Sequence, residues 1–471
     1  MFGFSARSIS NVLFWVTRKK WLILSFLLSI SFFYIPSPDG LSPEGHRTLI
    51  IVGVTLILII SESIPLPAVA ILILIMEVIL GVDTADGVAS SFMSDAVFFI
   101  MGSLMLAVSL VNQGLDKRLA LSVINVTGNK TWRIVLGFVT ISALLSSFIG
   151  EHTVGAMMLP VALALIRNAG LDTDKATNLS TVLLFSIAYG CAIGSIGTPS
   201  GGGRNVIMIG YLSEFGMGTV SYLDWMKFTY PMLLIEIPIV AAIVWYTFTP
   251  SQKIMDSSVR KLKVKVAKTG EMNANQYMAI AIFLVVFFGW IFLSPFIGLG
   301  IVALSGVFLY ISFGLVDWQD INKNTNWGVI LLFGAAISLG IQMRETGAAL
   351  WVAEQTLQYL EHVFQDIAIV RWFVAVVVTG ILTNLLSNAA TVAVLGPIIL
   401  DMGGNAILMG IMTSVASAFA YLTVVASPTC MIIHSTGLIS SSDYFKAGWK
   451  LFVISVLLLL MISTFYWPML L

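Results

Sequence analysis

Two polar interruptions set inside long apolar runs constrain this chain more than any other feature. The later one reads Thr383-Asn384-Leu385-Leu386-Ser387-Asn388-Ala389-Ala390-Thr391 and continues through Val-Ala-Val-Leu-Gly to Pro397. The earlier one reads Ser146-Ser147-Phe148-Ile149-Gly150-Glu151-His152-Thr153 and continues through Val-Gly-Ala-Met-Met-Leu to Pro160. Superposing Pro160 on Pro397 sets Ser146 on Thr383, Gly150 on Ser387 and Glu151 on Asn388. Each is followed by a second interruption: Gly197-Thr198-Pro199-Ser200-Gly201-Gly202-Gly203-Arg204-Asn205 in the first half, and Ala426-Ser427-Pro428-Thr429 in the second. Runs this apolar belong in hydrocarbon, where irregular backbone survives only beside protein or a watery cavity. Helices broken at matching places in two halves therefore enclose a polar site between the breaks.

Composition supports that environment. The 471 residues are 58% hydrophobic and only 10% charged, against about 25% charged in a soluble domain. The expected class is an all-α polytopic membrane protein. The apolar run from Trp21 follows Arg18-Lys19-Lys20, but Tyr34-Ile35-Pro36-Ser37-Pro38 replaces a small-residue cleavage site, so it reads as a first membrane helix. Cys191 and Cys430 both lie in apolar surroundings and make no disulfide framework. No catalytic constellation and no soluble domain are present, so the expectation is no enzyme and no nucleic-acid partner.

Runs near the roughly 20 residues needed to cross a bilayer predict helices at 21–36, 47–62, 66–82 and 95–112. The segment 116–127 is short and amphipathic and suits the interface. Two pieces at 133–149 and 154–167 are each too short to cross and suit a re-entrant hairpin. A broken helix (176–196 and 205–213) and a full helix at 228–249 complete the first half. The polar, basic segment 251–275 reads as a loop. The second half repeats the plan: 276–293, 297–315 and 328–344, an amphipathic stretch at 346–363, a hairpin (368–386 and 390–401), a broken helix (405–425 and 430–437), and a last helix at 447–470. Lysine and arginine counting orients the chain. With a cytoplasmic N-terminus and eleven crossings, the basic residues gather inside, Lys117, Arg118, Lys130, Arg133 and the 253–268 cluster among them. Only Arg47, Lys227, Arg344 and Arg371 fall outside, together with the C-terminus. The halves then have opposite topology, an inverted repeat.

At Ser387-Asn388, Ala156-Met157-Met158-Leu159-Pro160 and Gly197-Thr198-Pro199, the chain resembles the divalent anion/sodium symporter family, the INDY-like carriers of dicarboxylates, citrate and sulfate. The resemblance runs over nearly the whole length. It departs in the first hairpin, where Gly150-Glu151-His152 replaces a Ser-Asn-Thr, at Ala389, and in the Ser200–Asn205 break. The resemblance implies a homodimer working as an elevator. Residues 1–115 and 276–365 would be scaffold. Residues 116–250, with hairpin 133–167 and broken helix 176–213, and residues 366–471, with hairpin 368–401 and broken helix 405–437, would be the moving transport domain. It implies sodium-coupled movement of a small anion (dicarboxylate, other carboxylate or sulfate-like) across a bacterial or archaeal plasma membrane.

The residues sort accordingly. Ser146, Gly150, Glu151 and Gly197 would build one sodium site, and Thr383, Ser387, Asn388 and Ala426 the other. Substrate would touch Asn388, Thr391, His152, Thr153, Thr198, Pro199, Arg204, Ser427, Pro428 and Thr429. The plain alternative is that these hydroxyls and amides only join helices. Gly201-Gly202-Gly203 would let backbone approach a ligand or take positive φ. Charges at membrane depth face cavities or pair, so Glu151 and Arg204 read equally as an ion pair or as ligands for sodium and anion. Glu151 also leaves open a cation/proton antiporter or proton-coupled carrier. His152 invites a metal reading, but a metal needs three or four convergent ligands, and His46 and His362 are expected in outer loops. A channel is disfavoured by the two opposed hairpins.

Overall fold

A computed structural model describes residues 19–115, 118, 127–169, 177–267 and 270–470. Most of the predicted interfacial segment 116–127, and the basic residues Arg7, Arg18, Lys117, Lys175 and Lys268, lie outside the described residues. Among those described the fold is all-helical, with one isolated bridge between Lys130 and Ile254.

The first four apolar runs become α1 (Lys20–Phe33), α2 (Pro43–Ser61), α3 (Leu66–Ile79) and, after a short α4 (Ala85–Phe92), α5 (Asp95–Asn112). Local chemistry sets their starts. Ser42 accepts from Gly45 N at 2.8 Å with Pro43 in the first helical position, and Thr84 accepts from Gly87 N at 3.0 Å. The first hairpin is α6 (Thr131–Ile149) and α7 (Glu151–Asn168), hinged at Gly150. The broken helix is α8 (Asn178–Gly194) and α9 (Gly203–Glu214), followed by α10 (Tyr222–Phe248). Segment 251–275, expected as loop, contains α11 (Asp256–Ala267). Its Val259 is buried while Lys261 and Lys263 stay out, an amphipathic period that the basic composition hides.

The second half runs α12 (Ala274–Phe292), α13 (Leu299–Ser312), a short α14 (Trp318–Asn324), α15 (Trp327–Glu345) and α16 (Ala348–Phe364). Then come α17 (Ile367–Leu382), α18 (Asn388–Asp401), α19 (Ala406–Ala416), α20 (Pro428–His434) and α21 (Ser441–Phe465). His46 and His362, expected in loops, sit in α2 and α16. Helices α16 and α17 bend by 117° at their junction. Within α17, Phe373–Val378 is π-helical, and the Thr379 hydroxyl donates to Val374 O at 3.1 Å. The helix predicted over 405–425 stops at Ala416, and 417–427 is unwound. No Gly or Pro marks that stop; distant side chains capture the backbone instead.

Among the described residues seven helices are long and apolar enough to cross a membrane, or up to eight counting the bent α16–α17 pair, and six shorter apolar helices accompany them. Helix α6 is one of the seven, its 19 residues exceeding the half-length piece expected over 133–149. The core centres on α8, which is buried continuously from Leu179 to Gly194, as expected of a helix apolar on every side. It meets α6 at glycines. A Cβ on Gly194 would stand 2.2 Å from both Ala143 O and Ser146 Oγ, and one on Gly190 would stand 2.9 Å from Val139 O. Small residues allow such close helix approach in lipid.

Candidate functional site

The two tips turn the chain by different means. Gly150 has φ 83° and ψ 150°, a conformation that needs glycine, and no side chain caps α7. Ser387, its counterpart, stays extended at φ −69° and caps α18 by accepting from Ala390 N at 3.3 Å.

The breaks are held from outside their own segments. In the first (195–202), the Asn205 amide donates to Ser195 O at 2.9 Å and Thr198 O at 2.8 Å, and its oxygen accepts from Ser414 Oγ at 2.9 Å. Thr198 Oγ1 donates to Ser147 O, tying the break to the first tip. In the second (417–427), the Asn384 amide donates to Gly380 O at 2.8 Å and Phe419 O at 2.9 Å and accepts from Leu422 N at 2.8 Å. Thr383 Oγ1 donates to Ser417 O at 2.6 Å, and Tyr189 OH donates to Tyr421 O at 3.1 Å. These contacts answer the demand that unwound backbone in a membrane find partners.

Between tips and breaks lies a cavity of about 170 Å³, small beside the roughly 300–1,000 Å³ of drug-sized sites. Of the residues singled out from sequence, Gly150, Glu151, His152, Pro199, Arg204, Ser387, Asn388 and Pro428 line it. Leu66, Phe99, Ile100, Ser103, Val329, Leu332 and Phe333 close it from the opposite wall. A second space of about 610 Å³, between 59–66 and the second tip, shares Leu66 and Ser387 with it.

Asn388 is the pivot. One end of its amide lies 2.9 Å from Thr383 Oγ1, 3.0 Å from Ala426 O and 3.2 Å from Ser417 O; the other end lies 3.3 Å from Arg204 Nη1 and 3.4 Å from Glu151 Oε1. Arg204 is 2% exposed. Its Nε donates to Ser414 O at 3.2 Å and its Nη2 to Ser195 Oγ at 2.6 Å. Glu151 is also buried, and its Oε2 has no hydrogen-bond partner among the described residues. No ion pair within 4.0 Å joins Glu151 to Arg204 among the described residues; Asn388 stands between them.

The remaining sequence candidates sit one layer back. Ser146 Oγ donates to Cys191 O at 2.9 Å, and Gly197 O accepts from Thr229 Oγ1 at 3.0 Å. Thr391 Oγ1 donates to Ser387 O at 3.1 Å within its own helix. Ser427 accepts from Cys430 N at 3.2 Å as a helix cap, and Thr429 Oγ1 donates to Glu151 O at 3.0 Å. Thr153 is half-buried and outside the cavity lining. Gly201, Gly202 and Gly203 line the cavity without positive φ. Their value is closeness: a Cβ on Gly203 would lie 2.1 Å from Phe333 Cζ. No group of three His, Cys, Asp or Glu capable of holding a metal occurs among the described residues. Sequence reasoning left out Asn205, Asn384, Ser195 and Ser414. For the two asparagines the signal was present, an amide inside an apolar run.

A mostly apolar cavity into which Glu151, Arg204 and Asn388 face, set between two helix breaks and two helix-hairpin tips among apolar helices, defines a polytopic membrane transporter. Residues 17–471 match the model of the sodium:sulfate symporter transmembrane region, and the chain belongs to that family. It is 26% identical over 467 residues to an uncharacterized transporter of Haemophilus influenzae, covering 94% of this chain and 97% of that one. It is 28% identical over 477 residues to the sodium-dependent dicarboxylate transporter SdcS of Staphylococcus saprophyticus, covering 95% and 91%. Among solved structures, MtrF of Neisseria gonorrhoeae, described as illuminating a class of antimetabolite efflux pumps, superposes with a TM-score of 0.57. That match has 12% identity and covers 96% of this chain and 94% of that one. The likeness extends to the fold.

Proposed function

We propose that this chain is a sodium-coupled symporter carrying a small anion (a dicarboxylate, another carboxylate or a sulfate-like ion) across the plasma membrane. The observation that carries the reading is the Asn388 amide. On one face it meets a hydroxyl and two unwound-backbone carbonyls, the oxygen-rich kind of setting in which broken helices hold sodium. On the other it meets a guanidinium at the cavity, suited to an oxyanion. Relatives named as sodium-dependent dicarboxylate transporters support the same pairing.

Eleven crossings, a cytoplasmic N-terminus and an outer C-terminus follow from the lysine and arginine bias. In that orientation the space beside 59–66 opens toward the cytoplasm and serves as the inner access route. The hairpins, broken helices, α10 and α21 move as one body against a dimeric scaffold, the elevator cycle. Ser146, Gly150, Glu151 and Gly197 serve a second sodium ion. A rival reading, proton coupling through Glu151, draws on its unpartnered Oε2.

The test is uptake into proteoliposomes of radiolabelled dicarboxylate or sulfate, driven by an inward sodium gradient or by a proton gradient alone. Sodium-driven accumulation is expected, and Asn388→Ala should abolish it in protein that still purifies folded. Normal sodium dependence in Asn388→Ala would put the site elsewhere. Uptake driven by protons alone would favour the Glu151 reading.

A further inference from the structure

The Asn388 amide can stand in two orientations, and its neighbours differ sharply in what they tolerate. With nitrogen toward the break, it donates to Ala426 O and Ser417 O, and its oxygen accepts from Arg204 Nη1. Every nitrogen of the guanidinium is then engaged, on Ser414 O, Ser195 Oγ and Asn388. Glu151 then receives no hydrogen bond to either oxygen from the described residues, since Oε1 faces an amide oxygen 3.4 Å away and Oε2 is unpartnered.

With oxygen toward the break, the amide oxygen joins Thr383 Oγ1, Ala426 O and Ser417 O at 2.9, 3.0 and 3.2 Å. The only proton among these four oxygens is that of the Thr383 hydroxyl, which lies 2.9 Å from the amide oxygen and 2.6 Å from Ser417 O and can serve only one of them at a time. Such a cluster repels itself unless a cation enters. The amide nitrogen then donates to Glu151 Oε1. It can no longer accept from Arg204 Nη1, and an N–H of a buried guanidinium is left without a partner at the cavity wall. A charged donor stranded in that way is strongly driven to find an acceptor.

We propose that the Asn388 amide relays cation occupancy to the anion subsite: sodium among the four oxygens holds the amide turned, and this frees Arg204 Nη1 to bind the oxyanion of the substrate. Asn388 is a positioning residue in this scheme, and Arg204 is the anion-binding residue. Glu151 takes the displaced amide N–H and thereby stabilises the turned state. The inference rests on sodium-coupled anion transport as proposed above.

Anion binding to purified protein, measured by calorimetry with succinate and with sulfate at zero and saturating sodium, tests it. In wild type, sodium should tighten anion binding. Arg204→Met should weaken binding at saturating sodium by about tenfold or more, the worth of a charge-assisted hydrogen bond. It should change binding little without sodium, so the stimulation collapses. Asn388→Asp presents oxygen to both faces at once. It should keep or strengthen stabilisation by sodium, read as a melting shift, while losing sodium's effect on the anion. Wild-type stimulation persisting in either variant overturns the relay alone. No effect of sodium on wild-type protein overturns the relay and the function reading together. If Asn388→Asp does not fold, Arg204→Met decides the matter.

Discussion

Gly194→Ala places a methyl group where α8 crosses α6. The added Cβ would stand 2.2 Å from Ala143 O and from Ser146 Oγ and 2.5 Å from Ala143 Cα, whereas ordinary contact begins at 3.4 Å. Backbone must therefore yield by about an ångström, because the obstruction includes a main-chain carbonyl. Overpacking of this kind costs about 1–3 kcal/mol. Displacing Ser146 also endangers its 2.9 Å hydrogen bond to Cys191 O, worth about 1 kcal/mol. The sum is about 2–4 kcal/mol. At about 2.1 cal/mol/K per residue over 471 residues, the unfolding entropy is roughly 1 kcal/mol/K, so Tm should fall by about 2–4 °C. Thermal unfolding in detergent measures the shift. Ser146 stands beside the first tip, so half-saturating sodium for uptake should rise as well. Gly53→Ala is the control: nothing lies within 4 Å of its Cβ, and it should be neutral or slightly stabilising. A Gly194→Ala protein with wild-type Tm and wild-type sodium dependence would refute the crossing geometry.

Single cysteines placed in 251–275 should label only from the cytoplasm and those in 36–46 only from outside; labelling of both from one face would overturn the inverted arrangement. Asn384→Ala leaves Phe419 O and Leu422 N without their partner, at about 1–3 kcal/mol each when buried. Its Tm should drop further than that of Gly194→Ala, and a wild-type melting curve would show that the second break is held otherwise. Glu151→Gln should raise half-saturating sodium several-fold with the pH profile of uptake unchanged. An unaltered sodium requirement would remove Glu151 from the cation's surroundings, and a loss of pH sensitivity would identify it as a proton carrier.

The helices were legible because hydrocarbon demands long apolar runs, and the tips because Gly150-Glu151 and Ser387-Asn388 are polar where lipid forbids it. Helix α11 was hidden by basic composition, although Val259 gives it a buried side. The unwinding after Ala416 was invisible for a different reason. The run from Val415 to Val425 carries no Gly or Pro, and what opens it is the Asn384 amide, more than thirty positions earlier in the chain. Partnerships of that range leave no local pattern. The same applies at the centre of the site. Sequence left Glu151 and Arg204 open between an ion pair and ligand roles, and only the fold reveals the amide of Asn388 standing between the two charges.

The π-helical turn at Phe373–Val378 bears on how the two halves should be compared. A π turn accommodates one residue more than the α-helix around it, and each α-helical residue turns the chain by about 100°. Superposing the halves on Pro160 and Pro397 keeps Ser146 and Thr383 in step without a gap, because the extra residue lies before Thr383 and outside the superposed stretch. Carried back past Phe373, the same ungapped pairing is out of phase by one residue, and it matches inward-facing positions of one arm to lipid-facing positions of the other. A comparison of the repeats that ends at Thr379 reads true symmetry; one that continues further reads a rotated face.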